Sequence, residues 1–280
     1  MSEGVMLLWF ILTGLSLLFV VADIPRTPAH PVIKWAFVIL TVFAGPLSAF
    51  LYVLGCREPL KNTHEAYVAA PWRQVLGSTM HCAAGDGIGI IAGAAIMSIL
   101  HITGLADLAF EYALGFGFGW GFFQAFAMRD MAGGSYLRSL RLTFLPEFLS
   151  MNLLMAGMAV AAALLRPWIA AGADPLHPGF WFVMSMALIA GFILAYPMNW
   201  WLVSHGLKHG MLTVRKRQKT AQGEHGMPRT ESGMAMGASM MMSHEHVGKP
   251  SIAAIAGMAA FSVLALTVGI VVSQVLEQMK

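Results

Sequence analysis

Seven stretches of roughly 20 residues contain little but apolar side chains, and that repetition restricts the chain more than any motif within it. They cover 4–22, 32–54, 75–100, 108–128, 142–165, 180–203 and 252–275. A helix of about 20 residues is about 30 Å long, the thickness of the hydrocarbon core of a bilayer. Helices are expected, because a helix satisfies its own backbone hydrogen bonds in lipid and none of the stretches has the short alternation of a barrel strand. Composition agrees: 58% of residues are hydrophobic and 11% charged, whereas a water-facing surface needs about a quarter to a third of its residues ionised. A soluble enzyme is excluded. The first stretch reads as a retained span, since it opens Ser2-Glu3 without positive residues and lacks a small-x-small cleavage site before Pro25. The expected fold is all-α, a polytopic transmembrane helical bundle of about seven spans.

Lysine and arginine in the connections set the expected orientation. Arg57, Lys61 and Arg73, then Arg129, Arg138 and Arg141, then seven in the connection from Ser204 to Ser251 lie on one side, against Arg26, Lys34, Arg166 and Lys280 on the other. Thirteen against four puts the N-terminus in the cytoplasm and the C-terminus outside. The net charge of +3 then reflects topology, and with no glycine-rich phosphate loop the chain carries no sign of a nucleic-acid or nucleotide partner. One connection is long: Arg215, Lys216, Arg217 and Lys219 are followed by a polar, methionine-rich stretch that cannot build a core. Those basic residues suit the anionic headgroups of the inner leaflet. The organisation expected is a six-helix body over 1–212, a linker over 213–250 and a C-terminal transmembrane helix over 251–280.

Polar groups inside the third span come next, because an ionisable residue at membrane depth is costly and points to function. With His81 as origin, Gly85, Ser78, Gly89, Cys82, Gly93, Asp86 and Thr79 fall within an arc of about 160°. Gly85, Gly89 and Gly93 form a small-xxx-small ladder for close helix approach. Asp86 lies about ten residues, roughly 15 Å, into the span. Two chemistries suit this face. Thiolate and imidazole from Cys82 and His81 match a copper or zinc ion; alternatively Asp86 carries protons with His81 as relay. The same groups would also serve to lock neighbouring helices together.

In the fifth span Met158, Met151 and Met155 lie within about 80° of Glu147, a thioether stripe beside a carboxylate. Thioethers select Cu(I), and they are also ordinary core filler. Glu147 has two readings, a boundary partner of Arg138 or Arg141 and a gate on a cation path. At the end of the sixth span Trp200 and Trp201, followed by His205, Lys208 and His209, read as an interfacial belt, with His205 and His209 four apart on one helical face. Pro197 should interrupt that helix, leaving carbonyls for Asn199 to satisfy. The long connection concentrates His225, Met227, Met234, Met236, Met240, Met241, Met242, His244 and His246, a composition able to capture copper without a preformed site. Its expected cytoplasmic side argues against that role. Cys56 and Cys82, the only cysteines, are not expected to pair.

Ala44-Gly45-Pro46-Leu47, His81-Cys82-Ala83-Ala84-Gly85-Asp86 and Tyr196-Pro197-Met198-Asn199-Trp200-Trp201-Leu202 together resemble a bacterial multi-pass membrane family known as a domain of unknown function, from about Asp23 to Met211. Many members of that family carry a second cysteine where this chain has Asp86 and an aspartate where it has Ile90. The family is often met beside copper-handling proteins, which implies metal handling by association and residence in the bacterial inner membrane. The function expected is transport or buffering of a transition metal, copper foremost: His81, Cys82 and Asp86 at mid-membrane, Met151, Met155 and Met158 as a soft path, and His244 and His246 in the capture segment. Two alternatives stand beside it. One is a proton- or cation-coupled transporter using Asp86 and Glu147; the other is a noncatalytic subunit or assembly factor that docks a membrane partner, or a second copy of itself, on the glycine ladder. No nucleophile-base pair points to catalysis.

Overall fold

The computed structural model describes residues 3–129, 133–211 and 250–279, and these form an all-helical membrane bundle. Among the described residues seven long helical segments follow in order: α1 (Glu3–Asp23), α2 (Pro31–Gly55), α3 (Pro71–Ile99), α4 (105–128), α5 (Tyr136–Leu165), α6 (Pro178–Ser204) and α7 (Ile252–Gln278). All but α4 are, whole, long and apolar enough to cross a membrane. The fourth is one continuous path whose middle, Gly117–Gln124, widens into π-helical turns. Apolar side chains such as Leu7, Leu8, Leu15 and Leu18 of α1 point outward, as a lipid-facing surface requires. Seven apolar segments are therefore present, as the sequence leads one to expect.

The second of them does not run straight. Gly45 takes φ 49° and ψ −127° inside α2, just before Pro46. Those torsions suit glycine, and the proline that follows has no N–H to continue the ladder. Phe37 and Tyr52 would be about 22 Å apart along a straight helix, yet their ring centroids lie 5.5 Å apart. Thr41 Oγ1 donates to Ser48 Oγ at 3.1 Å. The two halves of α2 thus fold against each other as a hairpin whose tip, Gly45, packs on Thr13 in the middle of α1. Both ends of the hairpin emerge on one side.

That turn decides which end of the bundle each terminus of α1 reaches. Asp23, at the end of α1, takes Arg57 Nε at 2.8 Å and Tyr52 Oη at 2.8 Å, and Lys34 Nζ donates to Pro25 O at 3.2 Å. The start of α1 is at the other end of the bundle, where Trp9 meets Phe182 near the beginning of α6. Counting loops along seven single crossings places the N-terminus with the Arg-rich connections. In the structure Glu3 sits at the end of the bundle opposite them, because α2 enters and leaves on the same side. Arg26 and Lys34 thereby join the Arg-rich end. Among the described residues, Arg166 is the Lys or Arg left at the other, where it pairs with Glu277 at 3.3 Å.

Close approaches join the crossings. The ladder of α3 meets α4 in antiparallel register: a Cβ on Gly85 would lie 3.0 Å from Gly119 Cα, one on Gly89 2.5 Å from Gly115 Cα, and one on Gly93 2.9 Å from Glu111 Cα. Each contact needs the missing side chain. Gly157 of α5 and Gly191 of α6 make a second seam. On the periphery, α7 lies along α5 through Gly269 on Ala156 and through Ser262, whose Oγ accepts from Asn152 Nδ2 at 3.1 Å. Asn152 in turn accepts from Tyr112 of α4 at 2.7 Å. A chain of polar groups at this depth holds three helices where apolar packing alone gives little preference over lipid.

The hairpin has a direct test. Glu3→Cys and Lys61→Cys, introduced singly, are expected to react with a membrane-impermeant maleimide from opposite faces of the membrane, since Cys56 and Cys82 are buried. Labelling of both from one face would restore α2 as a single crossing.

Candidate cation site

His81, Asp86 and the glycines share an arc with Cys82 by helical spacing, but α3 is buried on nearly all sides and distributes them among different partners. Cys82 turns toward α5. Its Sγ donates to Glu147 Oε2 at 2.8 Å, and Lys208 Nζ donates to the same oxygen at 3.1 Å and to the sulfur itself. The side chains of Lys208 and Glu147 are each 1% exposed. An ammonium, a carboxylate and a thiol are therefore closed inside the bundle as one unit.

Lys208 reaches that position because the chain doubles back after α6. The helix stops at Ser204, Gly206 takes φ 66°, and the amides of Leu207 and Lys208 both donate to Leu202 O. A glycine in the left-handed region is the ordinary device for ending a helix this way. The segment then packs inward, with Met211 against Gly77 and Gly210 against Gln74 of α3. Residues 205–211 form a plug at the Arg-rich end. The expected interfacial anchor is corrected here: Lys208 is buried rather than extended to headgroups. His205 and His209 share no helical face, since His205 is the cap of α6 and its Nδ1 lies 2.8 Å from Trp201 O.

One turn deeper on α3, Asp86 is wholly buried and neither carboxyl oxygen has a hydrogen-bond partner. Gly119 of α4 supplies the space, because any side chain there would collide with the Asp86 carboxyl. The wide turns of α4 surround this contact, and such turns recur at functional sites. Burying a carboxyl without a partner costs several kcal/mol in its ionised form. His81 points another way, its ring 5.3 Å from Phe123 and its Nε2 unpartnered.

The remaining expected residues disperse. Met151 and Met158 are buried and fill space left by glycines: a Cβ on Gly115 would lie 2.8 Å from Met151 Cε, and one on Gly191 2.8 Å from Met158 Cγ. One therefore serves the α4 seam and the other the α6 seam; Met155 is likewise core. Glu147 takes Lys208 rather than Arg138 or Arg141. Helix α6 continues through Pro197, and Asn199 Nδ2 donates to Ala195 O at 3.1 Å and Ser150 Oγ at 2.8 Å. Cys56 is a buried free thiol, pushed up to about 12 by burial, with Lys34 acting against the rise. Among the described residues no group of three or more His, Cys, Asp and Glu comes together as a metal cage. The basic run Arg215, Lys216, Arg217 and Lys219 and the capture residues His225, Met227, Met234, Met236, Met240, Met241, Met242, His244 and His246 lie outside the described residues.

Fold and site together define a polytopic helical membrane protein with a re-entrant hairpin and a fully buried lysine-carboxylate-thiol cluster. Residues 71–208 match the family model described as a domain of unknown function (DUF4396). The matched segment begins at the first residue of α3 and ends on Lys208, enclosing Cys82, Asp86, Glu147 and the lysine that joins them. No curated protein and no solved structure matches the chain.

Removing one member of a buried ion pair strands the other, whereas replacing both by apolar residues is often neutral. Lys208→Met is therefore expected to destabilise the protein by about 3–5 kcal/mol, read as a fall in the detergent-solubilised melting temperature, and Lys208→Met with Glu147→Leu to recover most of the loss. Equal losses in the single and double variants would show that the two side chains do not act as a pair.

Proposed function

We propose that this protein is a membrane transporter in which a proton or small cation, handled by Asp86 and Glu147 with Lys208 as their tethered competitor, drives the movement of a small solute. One observation carries the reading: the ammonium of Lys208 is enclosed between a carboxylate and a thiol, in the place a mobile cation would take. In the arrangement described, the tethered cation fills the site and the plug closes the Arg-rich end. When residues 205–211 withdraw, Glu147 and Cys82 are left without their counter-charge and recruit a proton or cation from that side. Asp86, a turn deeper, is the next acceptor along α3. Its enclosure by Gly119 means that exchange there requires α3 and α4 to part, which separates access from the two faces of the membrane. The hairpin supports the same reading, since a helix broken at membrane depth is tolerated where it is buried in protein or lines a cavity, as in channels and transporters.

Transition-metal handling, with copper as cargo, is the second reading. Cys82 favours it as a soft ligand beside a carboxylate, inside a site that already accommodates a positive charge. It requires Lys208 to leave first, because the ammonium and the metal compete for the same sulfur.

Proteoliposomes separate the two. With a pH dye and with Na+ and K+ indicators inside the vesicles, the wild type is expected to carry at least one of these ions above empty vesicles. Asp86→Asn and Glu147→Gln should each lower that flux by about tenfold or more, as expected for loss of an obligatory carrier group, while Cys82→Ser leaves most of it. Absence of flux for all three ions would overturn the coupling reading. Cu(I) uptake that is abolished in Cys82→Ser and insensitive to Asp86→Asn would install the metal reading in its place.

A further inference from the structure

At the Arg-rich end, three buried polar atoms without hydrogen-bond partners belong to side chains that line one cavity: Ser78 Oγ, His81 Nε2 and Gln124 Oε1. Their residues are 4%, 7% and 5% exposed. Buried polar atoms are paired in the great majority of cases, so three orphans around one space ask for a shared partner. Two more donors line it, the buried Met128 at the end of α4 and His209 of the plug, which is exposed and forms the rim. Ile33, at the base of the α2 hairpin, helps close the opposite wall. The three polar side chains come from α3 and from the last wide turn of α4, and His209 follows directly on Lys208, so four separate parts of the fold converge here.

The size and chemistry of the space select among ligands. At about 20 Å³ it holds one water-sized particle, which excludes an organic solute. Its donors are two imidazoles, an amide oxygen, a hydroxyl and a thioether, and none of the lining side chains is a carboxylate. Magnesium and calcium are held mainly through carboxylates and other hard oxygens and find too few of them in this wall. Imidazole nitrogens with a thioether suit borderline transition metals, with the amide and hydroxyl oxygens completing the shell. Cys82 takes no part, since its sulfur is engaged with Glu147 and Lys208 on another side of α3.

We infer that Ser78, His81, Gln124, Met128 and His209 form a binding site for a single borderline transition-metal cation at the mouth of the bundle, held chiefly through the imidazoles of His81 and His209. The site is distinct from the buried lysine-carboxylate-thiol cluster and stands whether or not that cluster couples transport. Because His209 belongs to the plug, an ion bound here ties residues 205–211 to α3 and α4 and holds Lys208 in place.

Cobalt(II) is the probe, in purified full-length protein carrying His225→Ala, His244→Ala and His246→Ala so that imidazoles of the long connection contribute nothing. One Co(II) per chain is expected, displaced by Zn(II), with visible bands typical of mixed nitrogen and oxygen ligation. His81→Ala and His209→Ala should each weaken binding by about tenfold or more; His209, at the exposed rim, keeps the test valid should His81→Ala fail to fold. Met155→Leu, in the core away from the cavity, should leave binding unchanged. The inference is overturned by sub-stoichiometric cobalt in the parent protein, by undiminished binding in His209→Ala, or by a thiolate-to-cobalt charge-transfer band, which would move the ion to Cys82. None of these readouts involves ion flux, so failure of the coupling reading leaves the inference standing, and the reverse.

Discussion

A lysine ammonium with 1% of its side chain exposed, inside a membrane bundle, obliges its surroundings to supply negative charge and hydrogen-bond acceptors. Glu147 and Cys82 do so from two different helices, and they meet only if α3 and α5 are held at a fixed height relative to each other. The fold meets that requirement through small residues. Gly157 sets α5 on α6, and Gly85, Gly89 and Gly93 set α3 on α4. A shift of α3 by one residue along its axis, about 1.5 Å, would move Cys82 out of reach of Glu147 and at the same time drive Asp86 into α4. The glycine seams and the charge cluster are thus mutually dependent, and substitutions in either should be felt in both.

Re-entry at α2 follows from the same economy of backbone groups. A chain that turns at membrane depth leaves carbonyls and amides unpaired, and lipid offers nothing to pair them with. Here the turn is covered by α1 on one side, while Thr41 and Ser48 bond across the hairpin. The hairpin base reaches the Arg-rich end beside the plug, where Ile33 faces the cavity of His81 and His209. Asp23 and Arg57 clamp the base from the α1 side. The opposite end has polar groups of its own: the buried Glu111, the Arg166–Glu277 pair and the Ser98 hydroxyl on Ala173 O.

Much of this was legible in the sequence, and the exceptions have physical causes. Apolar stretches of bilayer length identify seven membrane segments because hydrocarbon imposes that length on any helix that crosses it. The glycine ladder of α3 was readable for the same reason: small residues four apart have few other uses in lipid. Gly45-Pro46 was visible too, but composition cannot tell a kink from a reversal; what decides is the tertiary pairing of Phe37 with Tyr52. Lys208 reads as an interfacial anchor from sequence, because it follows a Trp-Trp pair at a helix end. The one available sign was Gly206, whose freedom at positive φ lets the chain turn back. Asp86 and Glu147 stood out as charges at depth, yet spacing along one helix could not reveal that Asp86 faces α4 while Cys82 faces α5. Gln124, a lone amide in an aromatic segment, is the mark that the cavity leaves in the sequence.

The identity of residue 208 bears on how such a cluster operates. Arginine would present a planar fork able to hold Glu147 through two parallel bonds, a rigid and lasting arrangement. Lysine brings a compact charge on a flexible stem, closer in shape to a hydrated or coordinated cation, and its three donors can be given up one at a time. The segment that carries it is bounded by Gly206 and Gly210, so its displacement needs rotation at residues without a side chain and no rearrangement of α6. Withdrawal would uncover Glu147 and Cys82 together, since a single nitrogen serves both. The carboxylate then has a strong demand for positive charge and a path open to one face only, because Asp86 is still sealed by Gly119. On the proposed reading, a tethered cation that competes with a mobile one is sufficient to link the state of the plug to occupancy of the site, without any large movement of the six crossings.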